Sequence, residues 1–304
     1  MEIGQIKMAD LIKSLILDIV KINKLQKIFL EDAYDRLNST EKDDLNCLIN
    51  FCNDESIDCL ADAYNTIVLD TLKEQIYFKR HKKYRFSTFK DVAESVYFNQ
   101  EYMKHYMYGL ALTAFFWEQH RSIKNYFLSV LPKKCKGKYL EIGPGHGYFM
   151  AKAMSTTAYD SFSGIDISPT SLELTKKFLD SEIWGETKNF NLVLSDFLEV
   201  NFKDRYDAIV MGEVLEHVEE PISFLEKIKS LSDGDTFIFV TTCINAPAID
   251  HIKLFRNVDE VNDLIVKAGL QILDIHLVPY NNLDIDESQK LELPINIALV
   301  LKNK

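Results

Sequence analysis

Turn-forming residues are scarce in the first part of this sequence. All seven prolines lie beyond residue 131, and of 11 glycines only Gly4 and Gly109 precede it. A stretch of 130 residues so poor in glycine and proline excludes a turn-rich β domain and predicts helices. Cysteine is sparse too: five in 304 residues, an odd number, exclude a disulfide framework. Cys47, Cys52 and Cys59 cluster without a CxxC spacing and read as small buried thiols on helices. No apolar run reaches the roughly 18 to 20 residues that cross a bilayer. The most apolar early stretch, Leu11–Val20, is interrupted by Lys13 and Asp18. The Met-Glu-Ile-Gly start lacks the basic segment of a secretory signal. A cytoplasmic protein without a membrane partner is expected.

Basic charge is in deficit. Lys and Arg number 35 against 46 Asp and Glu, a net charge of −11. Residues 1–130 are nearly balanced, 17 against 19, so the acidity sits in residues 131–304, with 18 against 27. Such a surface repels phosphate backbones and argues against a general nucleic-acid partner. One run opposes the trend, Lys79-Arg80-His81-Lys82-Lys83-Tyr84-Arg85. It reads as a solvated helix end or linker, or as a docking patch for an anionic substrate or carrier.

The periodicity divides the chain. Ile12, Leu15, Ile16, Ile19 and Val20 recur at helical spacing. Thr40-Glu-Lys-Asp43 resembles a capped helix start, for a helix running to about Asn53. Another helix is expected from about Ile57 to Phe78. Between Tyr77 and Phe127 lie 15 of the 35 aromatics, more than a helical core needs, so some are expected to line a ligand pocket. After Leu131-Pro132 the pattern becomes strand–helix alternation. Strands are expected at Tyr139–Ile142, Phe162–Ile167, Phe190–Leu194, Tyr206–Met211 and Thr236–Thr241. Helices are expected near Phe149–Met154, Ser171–Ser181, Pro221–Leu231 and Val258–Ala268. That alternation predicts an α/β fold with a parallel sheet covered on both faces. Gln271–Val278 and Ile295–Leu301 lack a full helix between them and predict a closing hairpin at or near the edge. The division is therefore a helical part, 1–130, and an α/β part, 131–304.

One segment carries the chemistry: Tyr139-Leu-Glu-Ile-Gly-Pro-Gly-His-Gly-Tyr148, a strand running into a glycine turn and then a helix. Open α/β sheets bind ligands at such strand ends. The nicotinamide fingerprint G-x-G-x-x-G fits Gly143 and Gly145 but fails at Tyr148. The third glycine is Gly147, and Glu141 just before the turn is foreign to that fingerprint.

With its neighbours, the segment resembles the class I S-adenosylmethionine-dependent methyltransferases, over about residues 137–303. Glu141-Ile-Gly-Pro-Gly-His-Gly147 is similar to their first motif. Gly164-Ile-Asp166 and Ser195-Asp196-Phe197 are similar to their second and third strand ends. Glu213-Val-Leu-Glu-His-Val-Glu-Glu-Pro221 resembles their ExLEHVxxP signature. The resemblance implies a Rossmann-like seven-stranded sheet of order 3-2-1-4-5-7-6, here with an N-terminal all-helical lid domain. It implies S-adenosylmethionine as cofactor. Gly143, Gly145 and Gly147 would lie against its methionine part, with Glu141 holding the ammonium. Asp166 would take the ribose hydroxyls and Asp196 the adenine amine, with Ile167 and Phe197 flanking the ring. Glu213 is a further cofactor candidate.

Methyl transfer needs alignment of nucleophile, methyl and sulfur, and a base where the acceptor is protonated. The candidates are His217, after the fourth strand, and His251, in a loop after the fifth. A variant has His217, His251 and Glu213 or Glu216 hold a metal; the favoured reading has none. His146, inside the glycine turn, is expected to face solvent or the cofactor's edge. Tyr102 and Tyr106 on one helical face, with Trp117, are the expected substrate-side residues of the lid, and Tyr126 lies further along.

The resemblance implies an enzyme acting on a small, apolar or aromatic metabolite at O, N or C, with natural-product biosynthesis as one setting. The chain lacks the Asn/Asp-Pro-Pro-Tyr/Phe motif of nucleic-acid and amide N-methylating relatives. Rival readings are a cofactor-binding regulator without turnover and an enzyme acting on carrier-bound acyl groups. The oligomeric state stays open, a homodimer among the options.

Overall fold

A computed structural model describes residues 2–52, 57–183, 185, 186 and 188–304, with side chains described for these except 2–10, 57–59 and 282. The expected helix end at Asn53 and the side chain of Cys59 lie outside the described residues.

The first 130 residues are helical, as the missing turn formers require. They form α1 (Glu2–Ile22), α2 (Lys27–Arg36), α3 (Ser39–Cys52), α4 (Ile57–His81), α5 (Phe89–Val92), α6 (Gln100–Phe116) and α7 (Glu118–Val130). A 3-10 turn, Lys24–Gln26, joins α1 to α2, and a π-helical segment, Ala93–Tyr97, follows α5. The lone glycine of α6 has a packing reason. A Cβ on Gly109 would sit 2.3 Å from Ile67 Cγ1 and 2.6 Å from the Ala63 carbonyl oxygen, so it lets α4 and α6 approach closely.

The start of α3 corrects the expected cap. Asn38, not Thr40, opens the helix: its side chain accepts from Glu41 N–H at 3.0 Å, and Glu41 accepts from Asn38 N–H at 3.0 Å. This reciprocal box lies two residues upstream, because Asn, Ser and Thr are all cap formers and the pattern alone does not choose among them. Glu41 does more than cap. Only 4% exposed, it accepts from Arg121 Nε (2.9 Å), Asn125 (2.9 Å) and Lys124 (3.3 Å), which fixes α7 against α3.

The remainder alternates as expected: β1 (Lys138–Ile142), α8 (Tyr148–Thr156), β2 (Ser161–Asp166), α9 (Pro169–Asp180), β3 (Asn189–Leu194), β4 (Ala208–Met211), α10 (Pro221–Ser230), β5 (Phe237–Ile244), α11 (Val258–Lys267), β6 (Leu270–Pro279), α12 (Ile285–Lys290) and β7 (Ile295–Asn303). The sheet order is β3-β2-β1-β4-β5-β7-β6. The strands β1 to β5 are mutually parallel, and β7 runs antiparallel between β5 and β6. The hairpin is present, with β6 at the edge.

Alternation along the strands builds two cores. Leu140 and Ile142 face the core under α10 and α11, whereas Tyr139 faces the opposite one. That second core is shared. It is continuous from Ile12 and Leu15 of α1, through Phe115 and Phe127, to Tyr139, Phe162 and Phe239 of the sheet. The helical part thus covers a sheet face directly. Among the described residues, no helix is long and apolar enough to cross a membrane.

Glu41 offers a test of the α3–α7 joint. Burial alone would raise its pKa, but Arg121, Asn125 and the Asn38 N–H outweigh this and bring it to about 2, below the ordinary 4.5. Its stabilisation is present above pH 4.5 and is lost as pH falls toward 2. Glu41→Gln is expected to cost about 3 kcal/mol in urea unfolding at pH 7, since Lys124 stays buried without its anion. The variant should also show a flatter loss of stability across that acid range.

Candidate active site

The sheet's connections run one way from β1 to β2 and β3, and the other way to β4 and β5. A crevice opens where the direction reverses, at the C-terminal ends of β1 and β4. A cavity of about 1170 Å³ fills it. The sheet side of the lining includes Glu141, Gly143, Gly145, Asp166, Ile167, Asp196, Phe197 and Glu213. The helical side includes Tyr97, Tyr106, Trp117 and His120.

The glycine turn is shaped by its backbone. Gly143 has φ +66°, and a Cβ there would meet Val214 Cγ2 at 2.9 Å. The bare turn therefore leaves backbone open to a ligand. The turn is anchored by Gly143 N–H to Ile165 O (2.8 Å) and by Thr175 Oγ1 donating to Gly145 O (2.8 Å). Gly147 lies under Thr175 as the cap of α8 and is absent from the cavity lining.

Two carboxyls at the turn have shifted acidities. Burial raises Asp166 to about 6, although the N–H groups of Ser168 (2.8 Å) and Gly145 (3.4 Å) pull the other way. Burial raises Glu141 to about 8, against the hydrogen bond donated by Tyr139 Oη at 2.6 Å. Asp196 accepts from Leu198 N–H at 2.8 Å. Glu213, at φ 51°, accepts from Thr241 Oγ1 at 2.7 Å. S-adenosylmethionine suits this lining: a bare backbone turn, a carboxyl for an ammonium, a second for a diol and a third for an amine, beside apolar Ile167 and Phe197.

The histidines fall into a network that sequence spacing does not display. Asp250 is 1% exposed, and its carboxylate accepts from Tyr106 Oη at 2.9 Å and Tyr97 Oη at 3.1 Å. Burial, then the charge of Asp250, holds both phenols protonated. Tyr97 spends its one proton on Asp250, so its oxygen accepts from His217 Nδ1 at 3.0 Å. The Asp250 carbonyl, which can only accept, lies 3.1 Å from the same nitrogen. His217 therefore carries its proton on Nδ1, and Nε2 keeps the lone pair. The Asp250 carboxylate lies 3.5 Å from Nδ1, placed to stabilise an imidazolium.

His251 is fixed the same way, donating from Nδ1 to Ala246 O at 2.6 Å. Burial, then His217, lowers its pKa to about 3, so it is neutral. Glu216 lies beneath. It is wholly buried, accepts from Thr242 Oγ1 at 2.8 Å, and is held protonated by burial and by Glu213. Its carbonyl receives the N–H groups of Ile252 and Lys253 at 2.9 Å each, which ties the β5 loop to the His217 turn. His217, Asp250 and His251 bring ligand-type atoms within 4.8 Å of one another, as do Glu216, Cys243 and His251. Glu213, a ligand in the metal variant, is in neither group.

Of the other expected residues, some line the cavity and some do not. Tyr102 does not line the cavity; it stacks on Tyr106 and donates to Asp70 at 2.8 Å. Tyr126 points away, donating to Asp274 and stacking on His276. Trp117 lines the cavity and donates to Tyr64 Oη at 3.2 Å. His146 lines the cavity rather than facing bulk solvent, and burial lowers it to about 4. Two residues of the helical part were missed. Tyr97 sits in the π-helical segment, off any regular helical face. His120 meets Thr113 Oγ1 at 2.7 Å while that hydroxyl donates to Leu110 O at 2.7 Å, so Nδ1 must donate and Nε2 keeps its lone pair. The only sequence signal for either was the aromatic density around them.

Sheet order, glycine turn and acidic strand ends define a class I, S-adenosylmethionine-dependent methyltransferase fold. Residues 115–274 match the methyltransferase domain family, and the chain belongs to it. Its cofactor is S-adenosylmethionine. A ubiquinone biosynthesis O-methyltransferase of Actinobacillus pleuropneumoniae serotype 7 is 26% identical over 145 residues, covering 43% of this chain and 60% of that protein. A malonyl-[acyl-carrier protein] O-methyltransferase of Ilyobacter polytropus is 27% identical over 141 residues, covering 42% of this chain and 51% of that protein. The chain thus spans between half and two thirds of the length of these relatives. The solved cyclopropane synthase of Mycobacterium tuberculosis shares the fold, with TM-score 0.50 and 12% identity, over 62% of this chain and 85% of that one.

The shifted carboxyls give a test by calorimetry. Near pH 7, Glu141 is largely protonated in the free protein. A bound ammonium favours its carboxylate, so S-adenosylhomocysteine binding should release up to about one proton, read as a buffer-dependent heat. Glu141→Gln should abolish that release. Affinity should also fall as pH drops through about 6, where Asp166 protonates, and Asp166→Ala should weaken binding by roughly 100-fold.

Proposed function

We propose that this chain transfers the methyl group of S-adenosylmethionine to a hydroxyl of a small, apolar or aromatic metabolite. The observation that carries the reading is the His217–Asp250 pair. His217 has its Nδ1 proton committed to Tyr97 and the Asp250 backbone, which leaves Nε2 as a base on a cavity-lining side chain. The acceptor's proton passes to Nε2 as its oxygen attacks, and the Asp250 carboxylate stabilises the resulting imidazolium. When bound, the cofactor supplies an activated methyl on a sulfonium, its own leaving group.

The chain's residues then have two tasks. Gly143, Gly145, Glu141, Asp166, Asp196, Ile167 and Phe197 would hold the donor, with Glu213 as a further cofactor contact. Tyr106, Trp117 and His120 bound the acceptor side and exclude water. Neutral His251 accepts a hydrogen bond through Nε2 and orients the acceptor. In this reading residues 1–130 select the acceptor and residues 131–304 bind the donor. Both curated relatives are O-methyltransferases by name, which supports oxygen as the acceptor atom. The second of them keeps a carrier-bound acyl acceptor as the rival. Natural-product biosynthesis is one setting for such chemistry.

Turnover with a panel of phenols and carboxylic acids, read by mass spectrometry as one added methyl, tests the reading. His217→Ala is expected to lower kcat by about 100-fold or more, with S-adenosylhomocysteine affinity within about threefold of the parent. Tyr97→Phe should lower kcat by roughly tenfold. An undiminished kcat in His217→Ala would remove the base from this account.

A further inference from the structure

The helical part carries an outward face that methyl transfer does not use. Residues 19–30 contain no acid, in a chain with 46. There Lys21, Lys24 and Lys27 alternate with Ile22, Leu25, Ile28 and Phe29, and all seven are exposed. Leu25 is 91% exposed and Ile28 80%, although both are large and apolar.

The outer face of α4 continues the pattern. Leu69, Leu72 and Ile76 are 46 to 50% exposed, at helical spacing, beside exposed Lys73, Lys79 and Arg80. The acids of that stretch turn inward: Asp70 accepts from Tyr102, and Glu74 is buried against Arg85. Lys21 and Lys73 also reach back to Asp18 and Asp70. The first stretch is anchored to α4 where Tyr64 Oη donates to Gln26 at 3.3 Å, and Phe29 and Leu72, one from each stretch, both line the same cavity.

The geometry points to a docking face for an anionic lipid bilayer. Large apolar side chains this exposed are stabilised by leaving water, and interleaved lysines meet lipid phosphates at headgroup depth. A second copy of the chain fits less well, because a two-fold contact would set Lys24 and Lys27 of each copy against the other. An acidic carrier protein would satisfy the lysines but leave Leu25 and Ile28 in water. The expectation of no membrane partner rested on the lack of a spanning apolar run and of a basic leader, and neither tests for a face that lies on a bilayer. On a bilayer, the cavity's Phe29–Leu72 side would open toward lipid and admit an apolar acceptor without passage through water.

The test is sedimentation of the full chain, without cofactor, with vesicles of phosphatidylcholine alone or mixed with about one quarter phosphatidylglycerol. Binding is expected to the mixed vesicles only, and to be lost at roughly 0.5 M salt. Leu25→Asp/Ile28→Asp should weaken it by roughly tenfold or more, as should Leu69→Asp/Ile76→Asp. Unchanged S-adenosylhomocysteine affinity reports that the variants fold. Equal binding to neutral vesicles, or undiminished binding by both variants, overturns the proposal. So does dimerisation in solution that the same substitutions abolish, or capture of an acidic carrier protein without vesicle binding. Because no cofactor is present, the outcome is independent of the methyl-transfer reading.

Discussion

The carboxylate of Asp250 has almost no contact with water, so the protein must solvate it. It does so with two phenols, Tyr97 of the π-helical segment and Tyr106 of α6. A buried carboxylate left without such donors would cost several kcal/mol. The helical part is therefore held in one position over the sheet by the same group that orients His217. Covering the site and equipping it are one arrangement. The tie extends further, because Ser168, two residues after Asp166, donates to the Tyr97 carbonyl at 3.2 Å. The loop after β2, the helical cover and His217 share one short chain of hydrogen bonds.

Much of the sheet side of the cavity was legible because its residues are close in sequence to the elements that place them. Glu141 through Gly147 is one strand end and one turn. Asp166 and Asp196 each end a strand whose apolar run announces it. The same alternation announced the parallel sheet and the closing hairpin, whereas the strand order came only with the family resemblance. The helical side of the cavity was less legible because its contacts are long-range. Tyr97 reaches Asp250 across 153 residues, and nothing local in either segment marks the other. Tyr102 and Tyr106 share a helical face, yet only Tyr106 reaches the cavity. A π-helical segment upstream brings Tyr97 there instead, and a 3.6-residue period does not reveal it.

The histidines show a second limit. Residue identity names a possible base, but its usable nitrogen depends on what the other one touches. For His217, His251 and His120 a carbonyl or an already committed hydroxyl decides this. All three keep Nε2 unprotonated when neutral, and those partners are visible only in three dimensions.

Gly109 and the shared core bear on how ligands come and go. With α4 and α6 in near-backbone contact and α6 and α7 seated on the sheet face, the cover has no hinge of its own. Swinging it open would strip Phe127 from Phe149 and Phe239, and Phe115 from Tyr148. Ligand exchange then resembles threading a fixed keyhole more than the opening of jaws. The width and chemistry of that aperture, rather than a closing motion, would filter acceptors and set the pace at which product leaves.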